Sequence, residues 1–276
     1  QTALHLAARG GHVRAVQLLI EAKADPLLRD SKGRTALMEA YDRDQVRVFA
    51  LIDRASAEAW AKLARADRHD GDHPARQKLR DDLALIEASR KGDVEEVKKL
   101  LARGVPATAQ DSRGWSALLS AALAGHEDVV VTLLANGAEP NEANDLGGTP
   151  LMAAASNDRF NIVGYLLSLK VDKDARDRDG MTALLFAASG GNLRSTPILV
   201  EGGANLELAD ERTLTPLMGA AAAGYTEVVE YLLAHGANAD TRGRGGISAR
   251  SLAAEAKNSS VVRVLDEHAK RKAAGA

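Results

Sequence analysis

Hydroxyl residues recur in this chain at a fixed interval. Thr2, Thr35, Ser116, Thr149, Thr182, Thr215 and Ser248 are separated by 33, 81, 33, 33, 33 and 33 residues. A period of this length constrains the fold more than any other feature, because so short a unit cannot bury its own apolar face and must stack on its neighbours. The text after each marker recurs too, as in "TALHLAARGGHVRAVQLLIEAKAD", "SALLSAALAGHEDVVVTLLANGAE" and "TPLMGAAAAGYTEVVEYLLAHGAN". Each copy reads as two short helices and a turn.

The marker hydroxyl caps the first helix by accepting a hydrogen bond from a free amide, and Pro150 and Pro216 then occupy the first helical position, where no donor is lost. Ala-Ala pairs at 7–8, 121–122, 154–155, 187–188 and 220–221 let neighbouring helices approach closely. Gly11, Gly125, Gly191 and Gly224 end that helix in a conformation glycine adopts cheaply. A second helix follows with apolar residues at helical spacing, as in Val129, Val130, Leu133 and Leu134 or Val228, Val229, Leu232 and Leu233. Gly137, Gly203 and Gly236 stop it. Aromatic residues are only 3% of the chain, which suits thin layers of small helices better than one enzyme-like core.

These residues resemble the ankyrin repeat, by the threonine, leucine, Ala-Ala, Gly-His and Leu-Leu positions and by "ANGAEPN", "EGGANLE" and "AHGANAD" at the 33-residue period. The resemblance implies an all-α solenoid of about eight helix-turn-helix repeats, with β-hairpin fingers between repeats and a concave recognition face. Departures are local. The histidine expected after the leucine survives as His5 and is replaced by Met38, Leu119, Met152, Leu185 and Met218. Asp158 and Arg159 stand at a Gly-His position, and Thr213 replaces a finger glycine.

The 81-residue interval resolves as 33 plus 48, because Leu83 to Gly114 is a further repeat lacking its capping threonine. The expected organisation is therefore repeats one and two over 1–52, an irregular helical joint inserted in repeat two over 53–82, and repeats three to eight over 83–276. "SAEAWAKLARA" reads as an added helix, and Pro74 as the start of another whose Leu79, Leu83 and Ile86 run into repeat three. Between them lies "RADRHDGDHPARQ", residues 65–77. His69, Asp70, Asp72 and His73 are residue types that hold zinc, but a glycine-containing loop offers neither rigid placement nor an oriented second layer. A polar loop is the expected reading, with metal binding as its alternative.

No other constellation points to catalysis. His12 and His126 belong to the repeat framework, no Ser-His-Asp arrangement is favoured, and "RGRGGIS" at 242–248 lacks the Lys-Ser/Thr ending of a phosphate-binding loop. No catalytic residue, metal or cofactor is expected. A net charge of −2 gives no basic field for nucleic acid, and no apolar run reaches the roughly 18–20 residues of a membrane helix. The lack of cysteine fits a reducing cytosol and almost equally a periplasm.

The expected function is that of a noncatalytic scaffold binding another protein. Carried over from the family position by position, the contact residues are Arg113, Trp115, Arg178, Met181, Arg212 and Leu214 on fingers and Leu123 at the end of a first helix. Other finger positions include Ser31, Lys32, Arg34, Ser112, Leu146 and Gly148. Trp115 has two readings, an interface anchor or a cover for the joint before repeat four. The text begins inside a repeat, so a preceding segment is expected, or self-association through the apolar face of repeat one. A targeting region of a longer chain is a further reading. The last repeat, with Arg250 in place of a core leucine, is expected to close the stack.

Overall fold

In the computed structural model, six first helices begin where a hydroxyl caps them, whereas the first helix of repeat three starts at Pro74 without one. The structure describes residues 2–28 and 74–274, together with single positions and short pieces between 35 and 58. Thr2, Ser116, Thr149, Thr182, Thr215 and Ser248 all accept the amide of the residue three positions on, at 3.1–3.5 Å. A cap of this kind stabilises a helix by about 1 kcal/mol.

Numbered in order among the described residues, the helices are α1 Ala3–Arg9, α2 Val13–Glu21, α3 Pro74–Lys91, α4 Val94–Ala102, α5 Ala117–Ala124, α6 Glu127–Ala135 and α7 Pro150–Ser156. Then come α8 Phe160–Ser168, α9 Ala183–Ser189, α10 Ser195–Glu201, α11 Pro216–Ala223, α12 Thr226–Ala234, α13 Ala249–Glu255 and α14 Ser259–Ala274. Helices of seven to nine residues, such as α7 and α8, are too short to persist alone in water. Packing must hold them.

Contacts divide the chain into two compact units, 1–83 and 84–276. In the first, Leu4, Ala7, Ala8 and Val16 bury together with Ala36, Ala40, Val48 and Ile52. In the second, a single core runs from Leu85 to Leu265 through every repeat. The first helices α5, α7, α9, α11 and α13 each pack on the next, and the Ala-Ala pairs between them are completely buried. Leu119, Met152, Leu185 and Met218, which stand at the family's histidine position, are at most 3% exposed and add to this core. Where the histidine survives, His5 Nδ1 meets the Thr2 hydroxyl at 2.8 Å and closes a capping box.

At four junctions of the second unit a side chain reaches back to the preceding repeat. His126 donates a ring N–H to the Arg90 carbonyl (3.0 Å), Arg159 Nε to Leu123 O (3.3 Å), Asn192 Nδ2 to Ala155 O (2.6 Å) and Asn258 Nδ2 to Ala222 O (2.9 Å). These carbonyls lie in the last turn of the preceding first helix, where the intrahelical ladder runs out. The glycine before each junction has two reasons to be there. Gly92 has φ +76°, and a Cβ on it would lie 2.4 Å from His126 Nδ1. Asp158 and Lys257 keep the same left-handed backbone without being glycine, at φ 53° and 61°. The Asp158 side chain is put to use there, accepting the Ser195 amide at 2.8 Å.

The expected hairpins are present as tight turns, not as strands, among the described residues. A bridge pairs Gln110 with Ser116, but the turns are too brief to extend a ladder. The final helix, α14, has sixteen residues. It is tied down by Arg250 to Asp266 at 2.6 Å and Lys272 to Asp240 at 2.8 Å.

Candidate functional site

Four fingers share one construction. Asp111, Asn144, Asp177 and Asp210 stand 33 residues apart, and in each the Oδ1 atom accepts two amides, from the residues two and four positions on. The pairs are Arg113 and Trp115 (2.8 and 2.9 Å), Leu146 and Gly148 (2.9 and 2.8 Å), Asp179 and Met181 (3.0 and 2.8 Å), and Arg212 and Leu214 (2.9 and 2.7 Å). The backbone closes the same loops, since the amide of the first residue donates to the carbonyl of the fifth at 3.0–3.1 Å.

Neighbouring fingers are also bonded to one another. The Asp145 amide donates to Arg113 O, Arg178 to Leu146 O and Glu211 to Asp179 O, all at 2.8–2.9 Å. At the next step the pattern changes, and the Arg244 amide donates to the Thr213 hydroxyl at 2.6 Å. Thr213 holds the left-handed φ of 69° that glycine has in the other fingers. Its side chain thus supplies the acceptor that a carbonyl supplies elsewhere.

The sequence-predicted residues fall on this frame as follows. Trp115, Met181 and Leu214 hold equivalent positions, but Gly148 holds it in the finger between the first two, so the apolar row is interrupted there. Trp115 and Leu214 are half-buried against the core, and Met181 is half-buried. Arg113 and Arg212 are exposed near the fingertips, and Arg178 is half-buried. Arg113 Nη2 lies 3.5 Å from Asp111 Oδ2. Leu123 is half-buried on the core, with its carbonyl taken by Asn157 and Arg159. Ser31, Lys32 and Arg34 lie outside the described residues, as do Trp60, Leu63, His69, Asp70, Asp72 and His73. Among the described residues no three His, Asp or Glu side chains cluster as metal ligands, and no helix is long and apolar enough to cross a membrane.

Beside the fingers, the first helices leave a common strip uncovered. Its members are Leu123 and Ala124, then Ser156 and Asn157, then Phe186, Ser189 and Gly190, then Ala222 and Ala223. None of α5, α7, α9 or α11 contains a charged residue. The preceding repeat supplies a charged border, where Glu87 accepts from Arg90 at 2.7 and 2.8 Å and lies 3.2 Å from Lys91. The hydrogen bonds from Arg90, with Lys91 behind them, pull the Glu87 carboxyl down to about 2. Half-buried Phe186 was missed in sequence reasoning. Its signal was the helical spacing of 186, 189 and 190, which puts an aromatic ring on the face where neighbouring helices carry Ser120, Ala153 and Gly219. The finger-to-finger bonds were missed as well, because they exist only once repeats are stacked.

Burial also perturbs one finger carboxylate. Asp177 is half-buried, and its desolvation raises the carboxyl pKa more than its two backbone donors lower it.

A family model described as "Ankyrin repeats (3 copies)" matches residues 1–61, 69–144, 85–177, 133–210, 169–243 and 191–274. Among curated proteins, the human "Neurogenic locus notch homolog protein 1" is 40% identical over 74 residues. That match covers 27% of this chain and 3% of the relative, so the chain spans a small part of a far longer protein.

Proposed function

Because this chain belongs to the ankyrin-repeat family, we propose that it is a noncatalytic scaffold that binds a partner protein across its fingers and the adjoining first-helix strip. Proteins of this family mediate protein–protein interaction. The observation that carries the finer reading is the tied row of fingers. An anchor residue there is held by a side-chain acceptor, a closed backbone loop and a neighbouring finger, so little ordering entropy remains to be lost on binding. In this reading Trp115, Met181 and Leu214 supply apolar anchors, and Arg113, Arg178 and Arg212 supply charge along the edge. Leu123 and Phe186 give apolar grip in an uncharged strip that admits a partner backbone closely.

The test is affinity capture from the source cell with the wild-type chain, followed by titration of the recovered partner against a Trp115→Ala, Met181→Ala, Leu214→Ala variant. Loss of at least tenfold in affinity, about 1.4 kcal/mol, is expected if even one anchor behaves as an interface hot spot. Unchanged affinity in a variant with an unchanged circular dichroism spectrum would overturn the assignment of this face.

A further inference from the structure

The repeat containing α10 departs from its neighbours on the face away from the fingers. In the three adjoining repeats with regular second helices, those helices start at Glu127, Phe160 and Thr226. The equivalent position here is Leu193, yet α10 begins two residues later, at Ser195. Pro197 accounts for the delay. In a helix starting at Leu193 its ring would clash with the Leu193 carbonyl, whereas at the third position of α10 it displaces no intrahelical donor. Leu193 is left 49% exposed, and Arg194 swings onto the Phe160 ring, 3.3 Å from its centroid.

The helix also stands apart from its successor. Of all adjacent second helices between α4 and α14, α10 and α12 pack least closely. Between them lies an open groove of about 270 Å³, lined by Leu193, Thr196, Pro197, Glu227, Val228 and Tyr231. The groove between α6 and α8 is about 170 Å³ and that between α12 and α14 about 250 Å³, the latter lined by Glu267 and by the basic residues His268 and Arg271. The α10–α12 groove is lined largely by apolar groups, with one carboxylate in the lining and a second beside it on the Tyr231 hydroxyl. Glu227 is in the first turn of α12, and Glu201, the last residue of α10, accepts the Tyr231 hydroxyl at 3.4 Å. Neither helix contains lysine or arginine, and Arg194 is turned away onto Phe160. Small-molecule pockets run to roughly 300–1,000 Å³ and enclose most of their ligand, so an open groove of this size suits one protruding side chain better.

We propose that the groove between α10 and α12 is a second docking surface, and that it takes a basic protein segment presenting one bulky apolar side chain between two cations. The apolar side chain enters between Leu193, Pro197, Val228 and the Tyr231 ring, while the cations meet Glu227 and Glu201. Charge complementarity selects the partner class, because an acidic or neutral segment would leave both carboxylates without a countercharge at the contact.

The test titrates the full isotope-labelled chain with three synthetic peptides of equal length, built from Lys and Leu, from Lys and Ser, and from Glu and Leu, while amide resonances are followed. The Lys-Leu peptide is expected to shift residues 193–201 and 226–234 saturably, and the other two are not. A Glu201→Lys, Glu227→Lys variant should bind it at least tenfold more weakly, and Pro197→Ala should weaken it by restoring the regular helix start. The Trp115→Ala, Met181→Ala, Leu214→Ala variant should bind it as the wild type does, which separates this surface from the finger face. Equal shifts with the Lys-Ser peptide, shifts confined to other residues, or unaltered affinity in the charge-reversed variant would overturn the proposal.

Discussion

Replacing Asp177 by alanine and by asparagine separates the two things its side chain does. The alanine variant loses two acceptor bonds, to the amides of Asp179 and Met181. Hydrogen bonds to a charged group contribute about 1.5–3 kcal/mol each, but the exposure of Asp179 lets water replace part of that, so a net loss of about 1–3 kcal/mol is expected. Asparagine keeps the acceptor, and Asn144 already makes the same pair of bonds at 2.9 and 2.8 Å one finger earlier. It also removes a charge whose burial is unfavourable. The folded carboxyl pKa is raised, so the wild type loses stability as pH rises from the ordinary value, about 3.9, through the raised one. Above that interval the penalty is complete, and below it the penalty is absent. At pH 7 Asp177→Asn should therefore equal or exceed the wild type in denaturant unfolding, and any advantage should vanish in acid. Hydrogen exchange at the Met181 amide should accelerate in Asp177→Ala alone. An asparagine variant as unstable as the alanine variant at pH 7 would refute the argument, because it would make charge rather than acceptor geometry the organiser of the finger.

Glycine positions give a second comparison. Gly137→Ala should cost roughly 1–2 kcal/mol for its left-handed backbone alone, since a Cβ there meets nothing within 4 Å. Gly92→Ala should cost more, because its Cβ falls on the His126 ring. Unfolding curves in a His126→Ala background should erase that excess. Glu87→Gln should lower stability by less than about 1 kcal/mol at neutral pH, its ion pairs being largely solvated. The pKa of Glu87 is depressed, so its contribution is present above the ordinary carboxyl value and lost as pH falls toward about 2. A stability difference that persists undiminished at the acid end would count against the pairing.

The repeat was legible because its signals are local and recur. A hydroxyl followed by an apolar run, an Ala-Ala pair and a glycine each specify a cap, a close approach or a turn without reference to distant residues. Even the replaced histidines could be read, since Leu119 and Met152 are apolar where burial awaits them. The delayed start of α10 was equally available in the text, as a proline four residues into an expected helix, and it was passed over because the surrounding pattern was strong. The finger turns were legible from Asp111 and its counterparts. Their mutual bonds were not, because an amide of one finger finds a carbonyl of another only after two repeats have stacked. His69, Asp70, Asp72 and His73 of the 65–77 loop lie outside the described residues.

The side chains that reach back between repeats give the stack an arrow. His126, Arg159, Asn192 and Asn258 each complete the repeat before their own, so four repeats of the second unit carry the lid of their predecessor, while at the equivalent position Tyr225 sets its ring against Gly191 instead. Removing repeats from the two ends is then not equivalent. A cut at the leading side takes away a body whose lid remains as a spare polar group in water, whereas a cut at the trailing side strips the lid from a body that stays. Truncations that remove equal lengths should therefore be tolerated unequally, with the trailing end the more sensitive.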